Sequence, residues 1–411
     1  MPLAPVAIRE SSSPIAATGL VSQRERTRPG AGDSVRGVVP VATPPLPPPA
    51  IVSPAPREVS FGRVEGRVAP GTRQVLVKVD GRLLVTKNVF RSKFALVVSL
   101  PQRDVTLRVT AVDGEGRRSS TVIGPVFGLP RETAPYSGPI PPLRGYEDPV
   151  LAASVRGLAR RFPGVCGLFV QDLRTGAGAA WNARARFPAA STLKLAIAVE
   201  LLRGLRGVPA PGTSLARLLW RMLVYSDDRS ANQLLEAIGG STSGGSARVN
   251  SMMSALGMAD SDMYGGYIVE DAIARSPIPL SIFARPSFIG KATTAWDMAR
   301  LERALHLAAG ARGALVWGFP GGFTPGDARY LLYLLAHART RGGLNYVRGG
   351  AVTVLHKAGW ITKARHDTGL VYSHDGAFVV TVLTWNGGGV GSASDVLASR
   401  VARAALNRFD D

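Results

Sequence analysis

Two proline clusters divide this sequence into stretches that cannot share one continuous secondary structure. The first is Pro45-Leu46-Pro47-Pro48-Pro49, and the second comprises Pro135, Pro139, Pro141 and Pro142. Proline lacks the backbone donor that helices and central strands need, so both clusters read as spacers. Residues 1–55, which also hold Ser11-Ser12-Ser13 and a Gly/Arg stretch, are expected to form a disordered Pro-rich arm. Residues 131–147 are expected to form a linker. That leaves 56–130 and 148–411 as the parts able to build cores. Hydrophobic residues make up 45% of the 411 and charged residues 19%, which excludes full-length disorder and fibrous repeats.

The 56–130 stretch has the texture of short strands. Val75-Leu76-Val77-Lys78-Val79 leads into Asp80-Gly81, and Arg82-Leu83-Leu84-Val85 follows. An Asp-Gly pair between apolar runs is a strong hairpin signal. Phe94–Leu100 and Val105–Val112 supply further runs, with Asp113-Gly114 as another turn. Six or seven strands in so short a stretch predict a small β-sandwich. On Val79-Asp80-Gly81 and Val109-Thr110-Ala111-Val112-Asp113 it resembles bacterial immunoglobulin-like modules, which implies a spacer or adhesion role.

In 148–411, Val150, Leu151, Val155 and Leu158 have helical spacing, and Gly164–Leu173 reads as a strand turning at Arg174-Thr175-Gly176 into another. Helices are predicted over Leu193–Leu205, Leu215–Tyr225, Ser230–Ile238, Arg248–Leu256, Thr294–Ala308 and Ala328–Ala338. Strands Val352–Lys357, Thr368–Tyr372 and Phe378–Thr384 and a helix Ala393–Phe409 close the chain. Strands at both ends with helices between imply an α+β fold in which the two ends share a sheet. The glycine-rich run Gly239–Ser246 lacks the Gly-Lys-Ser/Thr ending of a phosphate loop and reads as a flexible connection. The one cysteine, Cys166, lies in an apolar run and reads as a buried, inert thiol, and it excludes any multi-cysteine metal site. The five histidines show no metal spacing, and no cofactor is expected.

The formal net charge is +20, spread as +2 over 1–55, +7 over 56–130 and +11 over the remainder. No basic block marks an interaction tail, so specific nucleic-acid binding is not expected, although a basic chain adheres to anionic surfaces, whether cell-wall polymer, membrane or nucleic acid. No apolar run reaches transmembrane length. Met1–Ile8 is broken by Pro2 and Pro5 and followed by Arg9-Glu10, so it does not read as a signal peptide. Either the chain is not exported by that route, or a leader lies upstream of this start.

Chemistry concentrates in three places. Ser191-Thr192-Leu193-Lys194 opens a predicted helix, and its i,i+3 spacing puts a hydroxyl and an amine on one face, one turn apart. A lysine there that loses its proton could activate the serine as a nucleophile, although Ser191 could equally be a helix cap. Ser226-Asp227-Asp228 follows a helix, with Asn232 four residues beyond Asp228. Lys357-Ala358-Gly359 ends an apolar strand.

These three elements, in this order and in these contexts, resemble the Ser-x-x-Lys, Ser-Asp-Asn and Lys-Thr-Gly set of class A β-lactamases and penicillin-binding serine enzymes. Gly167–Gly176, Phe187–Ser191, Ser226–Leu235 and Thr293–Leu301 add to the likeness, which spans about 150–408. It implies an antiparallel sheet flanked by helices plus an all-helical subdomain, with the active serine between them. It implies a serine acyl-hydrolase acting on a β-lactam or a peptidoglycan-like amide, working outside the cytoplasm. Ser191 would be acylated, with Lys194 its base or proton relay. Ser226 would pass a proton to the leaving nitrogen, and Lys357 would supply charge for the substrate carboxylate. The backbone N–H groups of Ser191 and Trp360 would form the oxyanion hole, and Asp228, Asn232, Ala358, Gly359 and Arg365 would contact substrate.

Three departures from the family pattern carry expectations. Asp228 replaces an asparagine, and as an acceptor-only carboxylate it could pair with Lys194 and keep the amine charged. Ala358 lacks the usual hydroxyl, so Lys363 or Arg365 would have to take over the substrate carboxylate. The loop Asp260–Tyr267, where a deacylating glutamate belongs, contains none; Asp260, Asp262 and Glu270 are the candidates nearby. Acylation with slow release is therefore expected. The alternatives are a D,D-peptidase on the same site and a catalytically degenerate wall-binding protein.

Overall fold

The structure, a computed structural model, describes residues 44–143, 146–268, 290–340 and 343–410. The first eight strands are β1 (Ala50–Ser53), β2 (Glu58–Ser60), β3 (Arg63–Arg67) and β4 (Thr72–Val79), then β5 (Arg82–Asn88), β6 (Lys93–Val97), β7 (Asp104–Asp113) and β8 (Arg118–Gly128). They form two sheets, ordered β1-β3-β6 and β2-β8-β7-β4-β5, around a shared core that includes Val64, Val77, Phe94, Leu107 and Val109. The β4–β5 hairpin turns at Asp80 and Gly81, both at positive φ (47° and 85°), the conformation an Asp-Gly turn requires. Strand β1 falls inside the stretch assigned to the arm. Pairing with β3 and a hydrogen bond from Thr121 Oγ1 to Pro49 O (2.5 Å) draw the end of the proline cluster into this unit.

The β unit is docked, not strung out. Val59 of β2 and Leu129 enter the main core of the rest of the chain. Glu58 and Arg329 form an ion pair at 2.7 Å with little exposure on either side. Removing one partner of such a pair leaves a buried charge, at a cost of about 3–5 kcal/mol. Arg57 lies over the Tyr330 ring and donates to Pro209 O (3.1 Å), and His337 Nε2 meets Asp104 at 3.0 Å. The described part of the predicted linker, 131–143, also packs: Leu143 is buried, and Gln171 Nε2 donates to Pro142 O at 2.9 Å.

Beyond it come α1 (Pro149–Arg161), β9 (Val165–Asp172), β10 (Gly178–Trp181) and the short β11 (Phe187–Pro188). Helices α2 (Lys194–Leu205), α3 (Ser214–Val224), α4 (Asp228–Gly239) and α5 (Thr242–Ala255) make the helical part. Then follow β12 (Ala292–Thr293), α6 (Ala295–Ala309), α7 (Ala314–Trp317) and α8 (Pro325–Ala336). Strands β13 (Thr353–Ile361), β14 (Ala364–Tyr372) and β15 (Ala377–Trp385) and helix α9 (Ser392–Phe409) end the chain. The antiparallel sheet runs β10-β9-β15-β14-β13, so strands from both ends of this region pair and β13 lies at an edge. α1 and α9 cover one face around Val155, Val380 and Val401; the larger core on the other face includes Leu195, Leu301, Leu331 and Leu383.

The glycine run departs from expectation. Ser241 caps α5 by accepting from Gly244 N, so Thr242–Ser246 is helix and not a flexible connection. The glycines let α4 and α5 cross closely, since a Cβ at Gly245 would lie 2.1 Å from Leu235 O. Cys166 is buried, and burial pushes its thiol up to about 12. No helix among the described residues is long and apolar enough to cross a membrane.

Candidate active site

The site is assembled where β13, the turn before α2 and the α3–α4 junction meet. β11 pairs with β12, and the chain then reverses at Ala190, a non-glycine residue at φ 46°. This sets Ser191 in the turn that precedes α2, with Thr192 Oγ1 donating to Ala189 O at 2.7 Å. From Lys194 to Leu202 every residue of α2 is buried, so the helix is a fixed post inside the core. The edge strand β13 lies against the turn. A Cβ at Gly359 would sit 2.6 Å from Ser191 N and 3.0 Å from Thr192 N, so only glycine permits this approach. Trp360 is the next residue on that edge and is half-exposed.

Ser226 closes the site from the other side. It too has left-handed backbone geometry (φ 62°), and the next residue, Asp227, caps α4 through Ser230 N at 2.7 Å. Two such residues in one site hold about 1–3 kcal/mol of strain each, which the surrounding packing must sustain. Lys194 Nζ donates to Ser226 O (2.6 Å) and Asp228 Oδ1 (2.5 Å), with Ser226 Oγ at 3.5 Å. Lys357 Nζ donates to the same Oγ at 2.9 Å and to Ala358 O at 2.7 Å. One serine hydroxyl is thus shared by two buried lysines. Burial lowers the proton affinity of both. At Lys194 the Asp228 carboxylate opposes that fall, whereas at Lys357 the neighbouring Lys194 adds to it and the amine comes down to about 7.

The residues expected to contact substrate divide. Asp228 is half-exposed in the cleft but engaged with Lys194. Ala358 is buried and Gly359 is the contact point with the Ser191 turn. Two of these residues are engaged elsewhere in the structure. Asn232 faces the neighbouring loop: its Oδ1 accepts from Tyr267 N (2.6 Å) and its Nδ2 donates to Ile268 O (3.1 Å), which uses the amide to pin that loop. Arg365 is held by Asp395 through two contacts (2.8 and 2.7 Å) beside the Trp360 ring, so its charge is engaged with α9.

In the loop, Asp260 pairs with Arg184 at 3.1 Å, and Asp262 pairs with Arg186. Glu270 lies outside the described residues. What the sequence reading missed is Tyr267. Its ring centroid is 4.6 Å from Lys194 Nζ and 4.5 Å from Lys291 Nζ, and its buried hydroxyl has no hydrogen-bond partner among the described residues. A cation over an aromatic face is stabilised without being deprotonated, so the ring acts as a third, neutral wall of the Lys194 pocket. The paired glycines before Tyr267 were the available signal. A Cβ at Gly266 would meet the Asn232 amide at 2.7 Å, so glycine is what lets the loop come this close.

Among the described residues no group of three or more His, Cys, Asp or Glu side chains could hold a metal ion. Comparison with known proteins gives the family and the fold. The model of the family described as "Beta-lactamase enzyme family" matches residues 150–208 and 204–409. Among solved structures, that of PBP-A matches with TM-score 0.51 at 20% identity, covering 66% of this chain and 99% of that one. An ancestral class A β-lactamase (GNCA) matches with TM-score 0.50 at 21% identity, covering 63% and 100%. No curated protein matches the sequence.

Proposed function

This chain belongs to the β-lactamase enzyme family, and from that premise we propose that it is a serine acyl-hydrolase whose nucleophile is Ser191. The observation that supports this most is the sharing of Ser226 Oγ by Lys194 and Lys357 beside the Ser191 turn. In the proposed reaction Ser191 Oγ attacks the carbonyl of a β-lactam or related amide. Its proton passes through Lys194, and Ser226 delivers a proton to the leaving nitrogen as the C–N bond breaks. The N–H groups of Ser191 and Trp360 would stabilise the tetrahedral oxyanion. Lys357 contributes positive charge for the substrate carboxylate, without help from a hydroxyl at Ala358 or from Arg365.

Release of the acyl group is proposed to be slow. Hydrolysis needs a carboxylate within reach of a water. Asp260 and Asp262 are each engaged by an arginine, and the aromatic ring of Tyr267 covers one side of Lys194. That same feature favours a second reading, a D,D-peptidase whose natural acyl donor is a peptidoglycan stem peptide, working outside the cytoplasm. A net charge of +20 suits a protein that operates against anionic wall polymer. Incubation with a fluorescent penicillin tests the shared claim. Covalent label on the wild type and none on Ser191→Ala is the expected result, and an unlabelled wild type would indicate a degenerate binding protein. Rapid turnover of a chromogenic cephalosporin would then select the β-lactamase reading over the peptidase.

A further inference from the structure

An open groove of about 810 Å³ adjoins the site and has no part in the chemistry above. Its lining includes Tyr225, Arg339, Thr340, Asn345, Tyr346 and Arg348. Its wall neighbours the site along the backbone: Tyr225 immediately precedes Ser226, and Arg339 N donates to Val224 O at 2.9 Å. The two tyrosines are 59% and 57% exposed, so they offer flat apolar faces and phenol groups to whatever enters.

The charge of the groove is one-sided. Two arginines line it and no acidic side chain does. Arg348 Nη2 donates to Val354 O, a backbone carbonyl, and Asp367 acts on it only from beyond ion-pair distance; neither arginine has a carboxylate within that distance among the described residues. Arginine's planar fork matches a carboxylate, and two of them beside aromatic walls select an anionic chain over a neutral one.

We infer that this groove is a subsite for a carboxylate that the substrate carries several atoms away from the bond attacked by Ser191. The preferred substrates are then acidic, peptide-like acyl compounds. The inference rests on the acyl-hydrolase reading above, so the test separates the two.

Benzylpenicillin is first mixed with the full chain, and a Ser191-dependent adduct establishes the shared premise. Two dipeptide thioesters are then compared, identical except that one bears a glutamyl and the other a glutaminyl side chain. Acylation forms the Ser191 Oγ–carbon bond, breaks the C–S bond and releases a thiol that takes up the proton, so the burst of thiol reports the acylation rate. The expected result is about a tenfold preference of the wild type for the glutamyl compound, equivalent to about 1.4 kcal/mol. In Arg339→Ala the preference falls to about twofold or less. Each preference is a ratio within one protein, so partial loss of folded material cancels. Arg348→Ala is a second variant, expected to behave alike. A labelled wild type with no glutamyl preference overturns the subsite alone, as does a preference untouched in both variants. Absence of any benzylpenicillin adduct overturns the Ser191 reading and this inference with it.

Discussion

In the proposed mechanism Lys194 decides whether the site can activate its serine. Its nitrogen lies within hydrogen-bond reach of Ser226 O and Asp228 Oδ1, with Ser226 Oγ at the limit, and while it donates to both acceptors it has no lone pair for Ser191. Burial pushes the proton off and Asp228 holds it on. Replacing the carboxylate by an amide of the same shape keeps one acceptor and removes the opposing charge. Asp228→Asn should therefore lower the proton affinity of Lys194 and raise acylation near neutral pH by about three- to tenfold. Because the reactive form is the neutral amine, the rising limb of the pH–rate profile should move to lower pH. Stopped-flow acylation by a chromogenic β-lactam measures both. A limb that stays put, or moves to higher pH, would show that Asp228 does not govern the base.

The secondary elements show which parts of this arrangement were legible in the sequence. Helices α2, α3, α4, α6 and α9 follow apolar periodicity and fall within a few residues of expectation, as do β13 to β15. The three motifs were visible because each sits at an element boundary, where a helix start, a helix end and a strand edge each have local signatures. Gly239–Ser246 was misread because its glycines serve helix–helix contact, a tertiary demand with no local mark. Asn232 and Arg365 were assigned to substrate because their partners, Tyr267 and Asp395, are distant in sequence and cannot be paired from spacing. His366 shows the same limit and yields a prediction. Its Nε2 donates to Pro188 O at 2.6 Å and its Nδ1 accepts from Thr384 N at 3.1 Å, tying β11 to the sheet. Burial pulls its pKa down to about 4, from 6.5 when unfolded. Between these values the unfolded chain binds more protons than the folded one, so stability falls as pH drops from about 6.5 towards 4. Asp297, raised to about 6 by burial, works in the opposite sense over part of that range, so the comparison needs a variant. The thermal midpoint of the wild type should fall more steeply on acidification than that of His366→Gln; parallel curves would contradict the assignment.

At the scale of the molecule, the β unit, the packed 131–143 segment and the β-lactamase-family fold are joined by buried contacts such as Glu58–Arg329 and by shared core residues. The sequence showed the strands but not the docking, because neither surface reveals its partner. The consequence is a fixed scaffold on which two strained residues, Ala190 and Ser226, hold the Ser191 turn and the shared hydroxyl in place. On the proposed mechanism that scaffold would suit acylation, and the arginine-paired aspartates would leave deacylation poorly served. Losing a general base costs about two to four orders of magnitude in rate. The central claim is thus a covalent adduct at Ser191 that outlives its formation, and intact-mass spectrometry after mixing with benzylpenicillin tests it most directly. The expected result is a persistent species heavier by one whole ligand, since the opened ring loses nothing, and its absence in Ser191→Ala. Rapid multiple turnover with no detectable adduct, or an adduct that survives the Ser191→Ala substitution, would contradict the account.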